Sequence, residues 1–277
     1  MTKKIIDAIL YIVVFLVVQV FVEIVTRLIF HVETADATAT VVKAIVSSII
    51  TIAVFAWLRW SPFSRRYLQS HPWDVVLWTA LLAVGTVLPS AFLQEHLGME
   101  LPPEYEQIFL RLMNHPLGYL AVGILVPVAE EMVFRGAILR TLLNNENDNG
   151  NDNDNDNGNR STVQPFNRST FLAILVSALL FGACHGNLPQ FFHATLIGLL
   201  LGWMYWRTGS IVPGIVFHWV NNTIAYVVCM LMPGMTDADL IDLCGGDLRR
   251  ELLYVASSLC IFLPALFQLH RRMKRCA

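Results

Sequence analysis

Charged residues are scarce. Asp, Glu, Lys and Arg make up 14% of the 277 residues, against about 25% in an average soluble domain. So few charges cannot cover a surface that faces water on all sides, which argues against both a soluble globular domain and a disordered chain. The formal net charge is −2, so there is no basic field for a polyanion and no nucleic acid partner is expected. Cysteine is rare: Cys184, Cys229, Cys244, Cys260 and Cys276 are odd in number and form no CxxC. Three of them lie in apolar runs, so neither a disulfide framework nor a cysteine metal site is expected. GxSxG, HExxH and the P-loop are all missing, which removes support for the hydrolase and nucleotide chemistries those motifs carry.

Apolar residues are abundant, 55% of the chain, with a mean hydropathy of +0.55. They fall in long blocks. A bilayer core needs about 20 mostly apolar residues per helix, and eight stretches qualify: 5–30, 41–58, 73–93, 117–139, 170–186, 188–206, 211–232 and 251–269. The expected fold class is therefore all-α, a polytopic membrane bundle of about eight transmembrane helices in contact with the lipid bilayer. The first stretch is too long for a signal-peptide core and no small-residue cleavage site follows it, so it reads as a mature span. With eight spans and the N-terminus inside, 13 of the 19 Lys and Arg fall in cytoplasmic segments, among them Lys3, Lys4, Arg65, Arg66, Arg271, Arg272, Lys274 and Arg275. That bias predicts both termini in the cytoplasm. The opposite loops are acidic, with Glu95, Glu100, Glu104 and Glu106 in one and Asp237, Asp239, Asp242 and Asp247 in another.

Residues 144–159 are almost wholly Asn, Asp and Gly. Such a stretch has nothing to bury and reads as a disordered cytoplasmic loop. It lacks the glycine and terminal glutamate spacing of an EF-hand. The chain thus divides into a variable N-terminal membrane region over 1–116, a membrane core over 117–269 interrupted by 144–159, and a basic cytoplasmic tail over 270–277.

Charged side chains at bilayer depth cost at least about 2.5–3.5 kcal/mol each, which makes them functional candidates by default. In VPVAEEMVFRGAIL, Glu131 and Arg135 are i and i+4 on one helix face and can pair. Glu130 is rotated away by about 100°, so one arginine cannot readily neutralise both carboxylates. The structural alternative is a Glu–Arg–Glu cluster joining helices, and the extra carboxylate weighs against it. In FGACHGNLPQFFH, Phe181 and His185 share a face at the end of the fifth stretch, and His193 falls in the next helix. A single histidine near a helix end is more commonly an interfacial residue. Gly198 and Gly202 form a GxxxG, read as close helix packing. In HWVNN, His218 and Asn222 are i and i+4 and together offer two donors for an anionic oxygen. The bland reading there is an interhelical hydrogen bond worth about 0.6–2 kcal/mol. Jointly the three groups supply a base for water and donors for a tetrahedral oxyanion, the inventory of a hydrolase.

These motifs, EEMVFR as EExxxR, FGACH as FxxxH and HWVNN containing HxxxN, resemble in type, order and membrane context those of the CPBP family of intramembrane endopeptidases. That family comprises the CAAX proteases and bacteriocin-processing (Abi) enzymes, with the type II CAAX prenyl protease as a relative. The resemblance covers roughly residues 117–232. It implies hydrolysis of a peptide bond in a membrane-associated peptide or protein, in a bacterial plasma membrane. It also implies roles: Glu130 as the catalytic carboxylate acting on water with His185, Glu131 and Arg135 as a supporting pair, and His218 and Asn222 as the oxyanion hole. Two chemistries stay open. A glutamate-type reading, which the resemblance favours, needs no cofactor. Glu130, His185 and His218 could instead make a His₂Glu zinc site. Two further classes compete, a non-catalytic immunity or scaffold protein that binds a peptide and a proton-coupled transporter. The second would predict inverted repeats, and no symmetry between the halves is evident.

Overall fold

The computed structural model describes residues 2–30, 36–61, 72–143, 166–231 and 240–273. Ten helices and no strand occur among them: α1 Thr2–Phe30, α2 Ala37–Trp57, α3 Pro72–His96, α4 Pro103–Asn114, α5 Tyr119–Leu143, α6 Arg168–Ala183, α7 Leu188–Thr208, α8 Val212–Leu231, α9 Leu240–Leu243 and α10 Leu248–Arg272. The protein is an all-α polytopic membrane bundle. The Asn/Asp-rich stretch 144–159 and the last four residues of the basic tail lie outside the described residues.

Each of the eight apolar stretches coincides with a helix, but the helices are unequal. Five are long and apolar enough to cross a bilayer: α1, α2, α3, α8 and α10. A sixth span arises if α4 and α5, bent by 102° at their junction, count as one. The count of eight is therefore not established. α6 has 16 residues, roughly 24 Å of helix, short of the ~30 Å hydrocarbon core. α7 is long enough at 21 residues, but Gln190, His193 and Arg207 dilute its apolar character.

α4 is an element that a search for apolar runs does not find. Pro102 and Pro103 start it, Pro103 needing no intrahelical partner at the first helical position, and its apolar residues recur at helical spacing among acids and amides. It is amphipathic. Tyr105 on α4 donates its hydroxyl hydrogen to the Gly186 carbonyl at 3.2 Å, which ties α4 to the turn between α6 and α7.

α5 lies at the centre and packs against α1, α2, α6, α7 and α8. It is not a uniform α-helix. Wide π-helical turns over Tyr119–Leu125 and Met132–Leu139 flank a six-residue α segment, Val126–Glu131. Pro127 begins that segment and has no N–H to give to the turn before it, so the preceding carbonyls are met by wider winding. π turns concentrate at functional sites, and here they bracket the two glutamates. From Met132 to Leu139 every residue is buried, so this turn of α5 is enclosed by protein on all sides.

Small residues let the other helices close around it. α6 and α7 form a tight pair, joined by a turn in which Gly186 has φ +74° and Asn187 caps α7 by accepting from the Gln190 N–H at 3.0 Å. A methyl at Gly198 would lie 3.0 Å from Ala178, and one at Gly202 would lie 2.8 Å from Ile174, so the GxxxG of α7 is the contact face toward α6. On the far side α3 runs along α10, and the Gly85 carbonyl accepts from the Ser258 hydroxyl at 3.2 Å. Glu95, one of the acidic loop residues, accepts from the Leu240 and Ile241 N–H groups at 2.9 and 3.3 Å and so holds the start of α9. At the opposite end Arg272 pairs with Asp74. Lys43 and Arg27 both reach Glu23 at 2.5 Å, linking α2 to α1.

A methyl group at Gly85 would come 2.6 Å from the Phe262 backbone nitrogen. Alanine gains about 1 kcal/mol of helix propensity over glycine, but overpacking costs typically 1–3 kcal/mol, and backbone cannot step aside as a side chain can. Gly85→Ala is expected to lower the thermal unfolding midpoint in detergent; a raised midpoint would contradict the α3–α10 contact.

Candidate active site

The polar residues of α5 separate into two environments. Glu131 and Arg135 are both fully buried, and Arg135 Nη1 donates to Glu131 Oε1 at 2.7 Å. The guanidinium also donates through Nη2 to the Gly198 carbonyl at 3.3 Å and lies 4.4 Å above the Phe181 ring. One cation therefore joins α5, α6 and α7. Glu130 lies beside this pair with 17% of its side chain exposed and no direct arginine contact.

His218, on α8, stands between the two carboxylates. Its Nε2 is 3.7 Å from Glu130 Oε2 and its Nδ1 is 3.8 Å from Glu131 Oε1. Both separations exceed a direct hydrogen bond and are of the kind that one water spans. Burial leaves Glu131 Oε2 and His218 Nδ1 without a hydrogen-bond partner. Buried unpaired polar atoms are uncommon enough to mark a strained or chemically active place.

The remaining candidates are arranged as follows. His185, just past the end of α6, uses Nδ1 against the Phe181 carbonyl at 3.0 Å. Its ring meets Phe181 edge-on at 5.2 Å, and Phe181 meets His218 edge-on at 5.8 Å. Phe181 is thus the wedge between the two imidazoles, and His185 Nε2 is left for another partner. Asn222 donates Nδ2–H to the Val122 carbonyl at 2.9 Å. One of its two amide hydrogens therefore holds α8 to the π turn of α5, and the second remains. The His218 and Asn222 side chains share a helix face, but His218 is turned toward the carboxylates and Asn222 toward the α5 backbone. Two more bonds secure the same seam: Trp219 Nε1 donates to the Tyr119 hydroxyl at 2.9 Å, and that hydroxyl meets Thr223 Oγ1 at 3.1 Å.

Gly214 is a residue that motif reading passes over. A methyl there would lie 2.2 Å from Glu131 Oε2, so the carboxylate occupies the space where a side chain would stand. A signal was present: Gly214 is one turn before His218, and glycine inside a helix costs about 1 kcal/mol, which asks for a packing reason. Phe181 had a weaker signal, its i, i+4 relation to His185.

A metal was tested against this donor set. Among the described residues no three His, Cys, Asp or Glu side chains gather as a ligand set. Glu130 and His218 approach each other, while His185 is held through Nδ1 by its own helix. Glu130, His185 and His218 do not gather as a His₂Glu zinc site in this arrangement.

The bundle thus brings a carboxylate and an imidazole together beside a buried ion pair. Comparison with known families adds a likeness. Residues 113–224 match the family model described as type II CAAX prenyl endopeptidase Rce1-like, a segment that holds Glu130, Glu131, Arg135, His185, His218 and Asn222. Over that segment the chain is similar to the CAAX protease family of intramembrane endopeptidases. Comparison with curated proteins and with solved structures finds no match.

The Glu131 cradle is open to a direct test. Gly214→Ala should push the carboxylate off Arg135 and lower stability by about 3–5 kcal/mol, the cost of breaking a buried pair by removing one partner. In a Glu131→Ala background the same change should be nearly neutral, because the space is then vacant. Thermal unfolding of the two single variants and the double variant measures the coupling, and additive effects would separate Gly214 from the carboxylate.

Proposed function

We propose that the protein hydrolyses a peptide bond of a membrane-associated peptide or protein by a glutamate-type mechanism, with Glu130 and His185 acting on water and His218 and Asn222 binding the oxyanion. The observation that supports this best is the division of labour on α5. Arg135 satisfies Glu131 at 2.7 Å, while Glu130, without that hydrogen bond, faces His218 at 3.7 Å.

Glu130 accepts a proton from water as the resulting hydroxide attacks the scissile carbonyl. His185, whose Nδ1–H donates to the Phe181 carbonyl, accepts a hydrogen bond from the same water at Nε2 and orients it, and the protonated Glu130 then returns its proton to the departing amine. The carbonyl oxygen becomes an oxyanion. His218 and the second N–H of Asn222 stabilise it, while the first N–H keeps α8 in register through Val122. Donors of this kind are worth most when they are held before the charge develops, and packing against Phe181 and the Asn222–Val122 bond restrict both side chains in advance. Glu131 and Arg135 act indirectly. They fix the rotation of α5 and place a dipole beside His218 without taking the proton. The substrate enters extended, since an amide inside a helix is already hydrogen-bonded and shielded.

Glu130→Gln and His185→Ala should each abolish cleavage of a lipidated fluorogenic CaaX peptide, with the variants still inserted and monodisperse. Asn222→Ala should lower kcat by about 10²–10³, as removal of one oxyanion donor does elsewhere. Retained cleavage in both Glu130→Gln and His185→Ala would remove the assignment. A chelator should leave wild-type activity unchanged; inhibition that zinc reverses would replace the glutamate-type mechanism with a metal-dependent one.

A further inference from the structure

α8 carries two stripes of residues that share a member. His218 and Asn222 form the stripe with chemistry. Trp219, Asn222, Thr223 and Tyr226 recur at i, i+3, i+4 and i+7, one face of the helix, and all four meet the first wide turn of α5. Asn222 donates to the Val122 carbonyl at 2.9 Å, and the Tyr226 ring lies 5.1 Å from that of Tyr119. Trp219 and Thr223 both bond the Tyr119 hydroxyl, at 2.9 and 3.1 Å. Tyr119 belongs to no motif, yet every contact of this face except that of Asn222 runs through it.

The hydrogen bonds around Tyr119 have a direction. Thr223 gives its single hydroxyl hydrogen to the Trp219 carbonyl at 2.7 Å, so toward Tyr119 it acts as the acceptor. The Tyr119 hydroxyl donates to Thr223 and accepts the Trp219 Nε1–H. A circuit closes, from the Trp219 indole through Tyr119 and Thr223 back to the Trp219 carbonyl, and Tyr119 is its one member on α5. The phenol is also fitted from behind. A methyl at Gly123 would lie 2.7 Å from the Tyr119 ring, so the ring rests where a side chain would stand.

The circuit controls the rotation of α8. One residue of a helix is about 100° of turn, and the site needs His218 on the carboxylates while Asn222 stays on Val122. The Asn222–Val122 bond alone is a single pivot. Anchors at Trp219 and Tyr226, before and after it, remove the remaining freedom. Trp219 is 42% exposed on a helix long and apolar enough to cross a bilayer, where an indole N–H without an acceptor is costly. The circuit therefore resists opening. We infer that Tyr119 is a positioning residue of the active site: its hydroxyl, through Trp219 and Thr223, holds α8 at the rotation that presents the second N–H of Asn222 to the oxyanion. The inference rests on the endopeptidase reading above, with Asn222 as an oxyanion donor, and adds the residue that fixes that donor before the charge develops. Tyr119 itself touches no reacting atom.

Steady-state cleavage of the lipidated fluorogenic CaaX peptide by purified, monodisperse variants tests it. Tyr119→Phe removes one oxygen and keeps the ring. It should lower kcat about tenfold, the equivalent of one good hydrogen bond, and leave KM within about twofold. In an Asn222→Ala background the same change should alter kcat by less than about twofold, because the donor it positions is gone. Trp219→Phe should cost less than Tyr119→Phe, since Tyr119 keeps Thr223 and no N–H is stranded. Added to Tyr119→Phe, it should restore part of kcat by removing the indole N–H left unpaired. If Asn222→Ala is impaired while Tyr119→Phe keeps the wild-type kcat, whatever its thermal midpoint, this inference alone is overturned and Tyr119 is merely structural. Equal fractional losses from Tyr119→Phe with and without Asn222 would also overturn it, because Tyr119 would then act through another group. A wild-type kcat in Asn222→Ala would overturn the oxyanion role of Asn222 and this inference with it. Cleavage that survives both Glu130→Gln and His185→Ala would overturn the endopeptidase reading on which both stand.

Discussion

The site depends on one buried ion pair. Glu131 and Arg135 are both inaccessible to solvent, and placing two charges at that depth costs several kcal/mol per ion before their attraction is counted. A lone pair would recover little of this. Here the guanidinium also takes the Gly198 carbonyl and the Phe181 face, so the cost is shared among three helices, and Gly214 leaves the room that the carboxylate needs. Such a pair contributes orientation more than stability. It sets the rotation of α5, and that rotation leaves Glu130 facing His218 and without a hydrogen bond from Arg135.

The uncommon winding of α5 follows from the same requirement. Two adjacent glutamates on a regular helix point about 100° apart, and here His218 of α8 stands between them, 3.7 Å from one and 3.8 Å from the other. Wide turns on both sides of Val126–Glu131 let the flanking residues stay packed while the glutamate segment takes its own angle. The freed backbone is reused: the Val122 carbonyl, in the first wide turn, receives Asn222, and the Phe134 carbonyl, in the second, receives the Ser177 hydroxyl at 2.9 Å. In lipid, where unsatisfied backbone groups are expensive, irregular helix is tolerated only when protein partners take up those groups. The irregularity and the site therefore support each other.

The molecule is also divided by function in its packing. α3 with α10 and α1 with α2 present large apolar faces outward, with residues such as Val17, Phe21, Leu253 and Phe267 exposed, as expected where lipid is the solvent. The residues with chemistry lie on α5 to α8, the part matched by the Rce1-like family model. α3 joins the two regions: one face lies along α10, and another packs against α7 and α8.

Much of this was legible in the amino-acid order, and the boundary is physical. A membrane span is a one-dimensional property, the length of an apolar run, so the all-α class and the position of each long helix could be read directly. The i, i+4 relation of Glu131 to Arg135, and of His218 to Asn222, needs only the helical repeat. α4 escaped because amphipathic spacing among charges makes no run, and the span count stayed open because α6 is short and α7 is interrupted by polar residues. What the sequence could not contain is the rotation of one helix against another. Only the packed bundle decided that His218 turns toward both carboxylates while Asn222 reaches the α5 backbone, and that His193, a histidine outside the motifs, meets Ser90 of α3. Those outcomes are set by contacts between residues roughly a hundred positions apart, where small side chains such as Gly198 and Gly214 fix how closely the helices approach, and no local pattern encodes that distance.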